Sequence, residues 1–243
     1  MEANSKQRKN AGIIIIGSEI LSGKVADQNS PFLAKKLTSL GVQVDWIITV
    51  PDDVNIIAKT IRTHFESVDW VFTSGGIGPT HDDVTTESIA KAFDVPLIAH
   101  PVLVEAIQRF YGDRCNPSHL SMAQVPEGTQ IISSPNRDHP VIQFRNIFVF
   151  PGVPKFLKDK FLAVQDKFKG QANFCKKIEL EVEEGEISEK MYATLKQFPG
   201  VSIGSYPEYC KASVKVDIYL EHEDKHYLEK AYQYLITELN DFL

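Results

Sequence analysis

The sequence predicts an α/β protein with a mostly parallel sheet covered by helices on both faces. Three observations carry that prediction. Apolar β-branched runs alternate with helix-period segments, the connections between them are short, and glycine-rich or proline-rich turns fall where the strands end. Alternation of this kind implies right-handed crossovers and a three-layer α/β/α arrangement, with ligands beyond the carboxyl ends of the strands.

Ile13-Ile14-Ile15-Ile16 suits a strand buried on both faces. From Pro31 to Leu40, Leu33, Leu37 and Leu40 share a helical face, and Gly41 stands at a helix stop. Val42 to Val50 reads as the second strand. Asp53 is placed to cap a helix carrying Ile57, Ile61 and Phe65, and Val68 to Thr73 returns as the third strand. A helix over Thr85 to Phe93 and another after Pro101 follow. Residues 131–150 break into two or three short strands, with turns at Ser134-Pro135-Asn136 and Arg145-Asn146, giving a mixed sheet edge. Pro151-Gly152-Val153-Pro154 then opens a helix to Phe168. Beyond the polar break Gly170-Gln171-Ala172-Asn173, a β-α-β-β-α pattern reads as a second domain over 171–243. It is short enough to be expected to bury little core alone and to lean on the first domain, 1–170.

Composition narrows the function. The chain has 243 residues, 43% hydrophobic and 24% charged, with a formal charge of −6. This excludes a general nucleic-acid or membrane-surface binder, which needs clustered cations. Cys115, Cys175 and Cys210 are too dispersed for a metal knuckle and odd in number, which fits a reducing compartment. No apolar run reaches the length of a signal core or a membrane span, so a cytoplasmic location is expected.

The most informative stretch is Ser74-Gly75-Gly76-Ile77-Gly78-Pro79-Thr80-His81-Asp82-Asp83-Val84-Thr85, set between a buried strand and a helix. Three glycines in four positions let backbone amides approach an anion, and the following helix adds the positive end of its dipole. The plainer reading is a tight turn in which Asp82 or Asp83 caps the helix. Adjacent carboxylates favour the first reading, because Asp82, Asp83 and His81 beside a phosphate are groups that a divalent cation needs. Gly17-Ser18-Glu19-Ile20-Leu21-Ser22-Gly23, Pro51-Asp52-Asp53 and Phe150-Pro151-Gly152-Val153-Pro154 fall at strand ends on the same edge.

Together these segments resemble the molybdopterin-binding fold of molybdenum-cofactor biosynthesis proteins, over about the first 170 residues. The Gly-Ile-Gly-Pro-Thr-His-Asp-Asp-Val-Thr and Gly-Ser-Glu-Ile-Leu-Ser-Gly stretches are most similar to the N-terminal domains of eukaryotic FAD synthases and CinA proteins. Gly204-Ser205-Tyr206-Pro207 resembles the segment that follows in the FAD synthases. The resemblance implies a metal-dependent pyrophosphatase cleaving FAD, or a related ADP-containing dinucleotide, to FMN and AMP. Gly75, Gly76 and Gly78 would hold a phosphate with Pro79 and Thr80, and Asp83, Asp82 and Asp52 would be catalytic as ligands of a divalent metal, magnesium or cobalt, with a monovalent cation as a candidate second ion. Glu19 would orient water or bind ribose, Gly17 would belong to the ligand-binding loop, and Pro151 and Gly152 would wall the adenylate or flavin side. A homodimer is expected. Two rival readings stay open: a molybdopterin-binding adenylyltransferase, and a non-catalytic nucleotide sensor.

Other motifs carry less. His222-Glu223-Asp224-Lys225-His226 has a zinc-protease spacing but lies in a charged strand-to-helix turn. Gly17 to Lys24 has five residues between its glycines and Val25 where a P-loop needs a hydroxyl. His64, His100, His119 and His139 are isolated. Glu179, Glu181, Glu183, Glu184 and Glu186 read as a solvated face rather than an RNA-binding surface.

Overall fold

The computed structural model describes residues 9–132, 140–210 and 213–242. The turn expected at Ser134-Pro135-Asn136, and His139, lie outside them. The chain divides into two compact units, 1–170 and 171–243.

In the first unit the order is β1 (Asn10–Ile16), α1 (Ser18–Leu21), α2 (Asn29–Ser39), β2 (Gln43–Val50), α3 (Val54–His64), β3 (Trp70–Ser74), α4 (Thr85–Phe93), β4 (Leu97–Ala99), α5 (Pro101–Tyr111), α6 (Pro117–Ser121), β5 (Gln124–Pro126), β6 (Gln130–Ile132), β7 (Val141–Phe144), β8 (Ile147–Phe150) and α7 (Pro154–Val164). The main sheet runs β2-β1-β3-β8-β7-β6. Its first four strands are parallel, while β7 and β6 are antiparallel additions, which makes the mixed edge.

Alternation of side chains along β1 builds the three layers. Ile14 and Ile16 face a core shared with Ile57 and Ile61 of α3 and Ile89 of α4. Ala11, Ile13 and Ile15 face the other, with Leu33 and Leu37 of α2 and Leu157 and Phe161 of α7. Six of the seven β1 residues are buried, which is why the strand reads as an uninterrupted apolar run. An aromatic cluster anchors the second face, where Phe72 lies within 6.1 Å, centroid to centroid, of the rings of Phe148, Phe150, Phe161 and Phe168.

Local chemistry sets the helix ends. Asp53 caps α3, its carboxylate accepting from the amides of Asn55 and Ile56, and Gly41 takes a positive φ of 78° just past α2. Histidines set aside in the sequence serve as caps: His100 accepts from the Val102 amide at the start of α5, and His119 completes a capping box with Asn116. The helix expected to reach Phe168 ends at Val164 and tightens into a 3-10 turn over Gln165–Lys167.

The second unit comprises β9 (Phe174–Leu180), α8 (Glu184–Gln197), β10 (Ser202–Cys210), β11 (Ser213–His222) and α9 (Lys225–Glu238), with an antiparallel sheet ordered β10-β11-β9. Contrary to the expectation of little core, Ile178, Leu180, Ile187, Val216, Ile218, Leu220, Leu228 and Leu235 form a buried cluster of its own. Two of the glutamates read as a solvated face have local tasks, since Glu183 and Glu186 form the capping box of α8. His222-to-His226 lies in a strand-to-helix turn, where Asp224 caps α9.

Candidate functional site

The parallel strands end in register, and backbone bonds hold the loops that leave them: Gly17 N–H donates to Val50 O, and Gly75 N–H to Phe150 O, each at 3.1 Å. One cleft of about 690 Å³ opens at this edge. Of the residues singled out in the sequence, Glu19, Asp52, Gly75, Gly76, Gly78, Pro79, Thr80, Asp82, Asp83, Pro151 and Gly152 line it. Gly17 does not; it turns the chain behind Glu19, whose carboxylate folds back to within 2.8 Å of where a Gly17 Cβ would sit.

The turn after β3 is built around two glycines of positive φ, Gly75 at 108° and Gly76 at 63°. A Cβ on Gly75 would sit 2.1 Å from the Ile16 carbonyl oxygen, so only glycine lets the turn pass this close to β1. Thr85 closes the turn from the helix side, its hydroxyl donating to Gly75 O at 2.8 Å and its amide to Gly76 O at 3.0 Å. The amide of Gly75 is thus engaged by Phe150, which corrects its place among the phosphate donors. The amides of Gly76, Ile77 and Gly78 donate to no acceptor among the described residues.

Asp83 does not cap α4, whose N-cap is Val84 without a side-chain bond. Its Oδ2 instead accepts from the Thr80 amide at 2.9 Å and the Thr80 hydroxyl at 2.5 Å, turning the carboxylate inward beside Gly78. The Thr80 hydroxyl, followed by its own amide, holds the Asp82 carboxyl below its ordinary range. The same hydroxyl lies against Asp83, so both carboxylates stand beside one donor. Asp52 accepts from the Ser18 amide at 2.7 Å, and its own amide meets the Ser18 hydroxyl at 3.3 Å, clasping the loops after β1 and β2.

Asp52, Asp82 and Asp83, expected as ligands of one or more divalent cations, all line the cleft but do not converge as a set of three. Among the described residues no three His, Cys, Asp or Glu side chains converge to hold an ion. Asp52 is tied to Ser18, while Asp82 and Asp83 sit across the cradle turn. The oxygen donors that remain suit a hard cation bound by one or two carboxylates together with substrate phosphate, the usual arrangement for magnesium.

Sequence reading missed three parts of the site. Asn29, at the buried start of α2, donates its Nδ2 hydrogens to Ser74 Oγ at 2.9 Å and Gly152 O at 2.7 Å, fastening the end of β3 to the Pro151-Gly152 turn. Asp27 seats that helix start by accepting from the amides of Asn29 and Ser30. An Asp followed at two and three residues by Asn and Ser, just before an apolar helical face, was the available signal. Next, Leu103, Ala106, Ile107 and Phe110 of α5, with Met122 and Phe156, give the cleft an apolar wall. Finally, Lys160 of α7 lines the cleft, donating from Nζ to the Pro140 carbonyl at 2.7 Å, and burial pushes its ammonium down to about 8.

Residues 12–168 match the family described as a probable molybdopterin binding domain. The chain belongs to that family. Beyond this molybdopterin-binding domain, residues 172–242 match the FAD synthase middle domain. A protein of Archaeoglobus fulgidus is 34% identical over 94% of this chain and 97% of its own length. A probable FAD synthase of Caenorhabditis elegans is 31% identical over 98% of this chain but 50% of its own length, and the Caenorhabditis briggsae protein of the same name matches over 48% of its length. The chain therefore spans about half the length of these two relatives. The crystal structure of CinA from Thermoplasma acidophilum superposes with a TM-score of 0.61 at 33% identity, covering 66% of this chain and 98% of that one. No helix among the described residues is long and apolar enough to cross a membrane.

Proposed function

We propose that the molybdopterin-binding domain of this chain hydrolyses the pyrophosphate bridge of FAD, or of a related ADP-containing dinucleotide, to a phosphate monoester such as FMN and AMP. The observation that carries the reading is a turn whose Gly76, Ile77 and Gly78 amides have no acceptor among the described residues, beside the Asp82 and Asp83 carboxylates in a single cleft. Similarity to probable FAD synthases over nearly the whole chain supports a flavin dinucleotide as the ligand.

In this reading the three amides grip one phosphate oxygen and the α4 dipole favours its charge. Thr80 fixes the Asp83 carboxylate, so that its other oxygen is presented without reorganisation. Asn29 keeps the Pro151-Gly152 wall at a constant distance from the cradle. Water adds across the anhydride, one P–O bond breaks, and each product leaves as a phosphate monoester. Asp83 and Asp82 would hold a divalent cation, which would supply neutralisation of phosphate charge and activation of water there.

The test is direct. The full chain is incubated with FAD and ADP-ribose in magnesium, manganese, cobalt or chelator, and products are separated by chromatography. Equal amounts of FMN and AMP from FAD, abolished by the chelator, are expected; no cleavage in any metal overturns the reading. The family match favours one second reading, a molybdopterin-type pterin as the ligand. It predicts pterin binding with FAD left intact.

A further inference from the structure

Among the described side chains lining the cleft, Glu19, Asp52, Asp82 and Asp83 are acidic and Lys160 is the one cation. Lys160 projects from the second turn of α7. Phe156, one turn earlier, lines the cleft with it, while Leu157, Phe161 and Val164 are buried on the face toward the sheet. Surface lysines ordinarily carry their ammonium out to water. Here Nζ is drawn in against Pro140, where its bond to the carbonyl fixes its aim. One of three N–H donors is used in that bond, which leaves donors for a ligand. The depressed ammonium reports the same desolvation.

The lining of the cleft is of two chemical kinds. The cradle amides account for a phosphate, and the α5 wall of Leu103, Ile107 and Phe110 offers apolar area suited to a flat ring. Resting on the dinucleotide reading above, we infer that Lys160 is the specificity-determining residue for the ring half of the ligand, donating to a carbonyl oxygen on the edge of a planar dioxo ring of the flavin type laid against that wall. An ammonium has donors only, so it matches an edge of acceptors. The pyrimidinedione edge of a flavin presents carbonyl oxygens. An adenine edge sets an amino donor beside its ring nitrogens, and a bare ribose has no ring to stack.

The experiment uses the full chain and two substrates that share the ADP half, FAD and ADP-ribose, with Lys160→Met against wild type. A second readout needs neither metal nor turnover: quenching of FMN fluorescence on binding. Loss of one charge-assisted hydrogen bond is expected to raise KM for FAD and Kd for FMN by about tenfold or more, with kcat and the ADP-ribose constants within about twofold of wild type. Equal losses on both substrates would place Lys160 at the phosphates or the adenylate and overturn the inference. No change on either would leave Lys160 a strut for Pro140 and overturn it equally. Should Lys160→Met fail to fold, Lys160→Gln keeps an N–H for Pro140 without the charge, and the same selective loss on the flavin ligands is required of it. The two readings fail separately. FMN binding that depends on Lys160 without FAD cleavage sinks the hydrolase and keeps the lysine; FAD cleavage indifferent to Lys160 does the reverse; no flavin binding and no cleavage sinks both.

Discussion

Asp83 receives two hydrogen bonds from Thr80 and caps no helix, so its removal loosens one turn. That costs about 1–2 kcal/mol of stability, whereas charge stabilisation at a phosphate is worth several. Asp83→Ala is therefore expected to lose FMN release by orders of magnitude while melting within a few degrees of wild type. Thr80→Val, which keeps the carboxylate and the amide bond but loses the hydroxyl bond, should lose turnover by far less than Asp83→Ala; comparable loss in both variants would make Asp83 a turn residue. Lys160 gives a second prediction at this scale. Its folded pKa of about 8 lies below the ordinary 10.5, so between those values the unfolded chain binds more protons and stability rises with pH. Below pH 8 the full penalty applies, on the order of 3 kcal/mol. Urea unfolding from pH 7 to 10 should show Lys160→Met more stable than wild type at pH 7, the gap closing toward pH 10. A constant gap would mean that the ammonium is not desolvated. The cleft residues legible in advance, from Gly75 to Asp83, lie within ten positions of one another. Lys160 and Asn29 were not legible, because their partners Pro140 and Gly152 lie 20 and 123 positions away, and on its own helix Lys160 has the spacing of any surface lysine.

Between β3 and α4, the cradle is an element whose shape depends on Gly75. Alanine there would meet the Ile16 carbonyl at 2.1 Å in a backbone of φ 108°, and should destabilise the protein by at least about 2 kcal/mol. Gly185→Ala in α8, where nothing lies within 4 Å of the added carbon, should be neutral or slightly stabilising, by about 0.5 kcal/mol. Denaturant midpoints of the two variants check both, and a neutral Gly75→Ala would mean that the turn is looser than described. Strands and helices with strong periodicity were readable: α4 over Thr85–Phe93 and the capped α3 fall where pattern and capping chemistry place them. The four- and five-residue helices α1 and α6, and the β4-β5 pair, were missed. Such pieces are too short to show a period and are fixed by tertiary packing. The end of α7 was overrun because its apolar spacing continues through a 3-10 turn to Phe168, which is buried with the aromatic cluster.

At the scale of the whole molecule, each unit has its own buried core, and the polar stretch after Gly170 is where those cores part. The small unit does better than its length promised because β10 and β11 pair over nine or more residues, from Ser202↔Glu221 to Cys210↔Ser213, and two helices cover the sheet with leucine and isoleucine. Charge is the other property of the whole. The chain carries a formal −6, and among the described residues four carboxylates and one lysine line the cleft at the sheet edge. A diphosphate arriving without a counterion meets a like-signed field, so its encounter rate is governed by repulsion. Raising ionic strength from about 10 mM to about 0.1 M shortens the screening length from about 30 to about 10 Å. Metal-free association of FMN, followed by stopped-flow quenching, should therefore speed up with salt, the opposite of an enzyme that steers its anion inward; slowing with salt would mean that Lys160 dominates the local field. On the proposed dinucleotide reading, the cleft would admit its ligand best when the ligand brings its own cation, so that free magnesium would govern arrival before any chemistry.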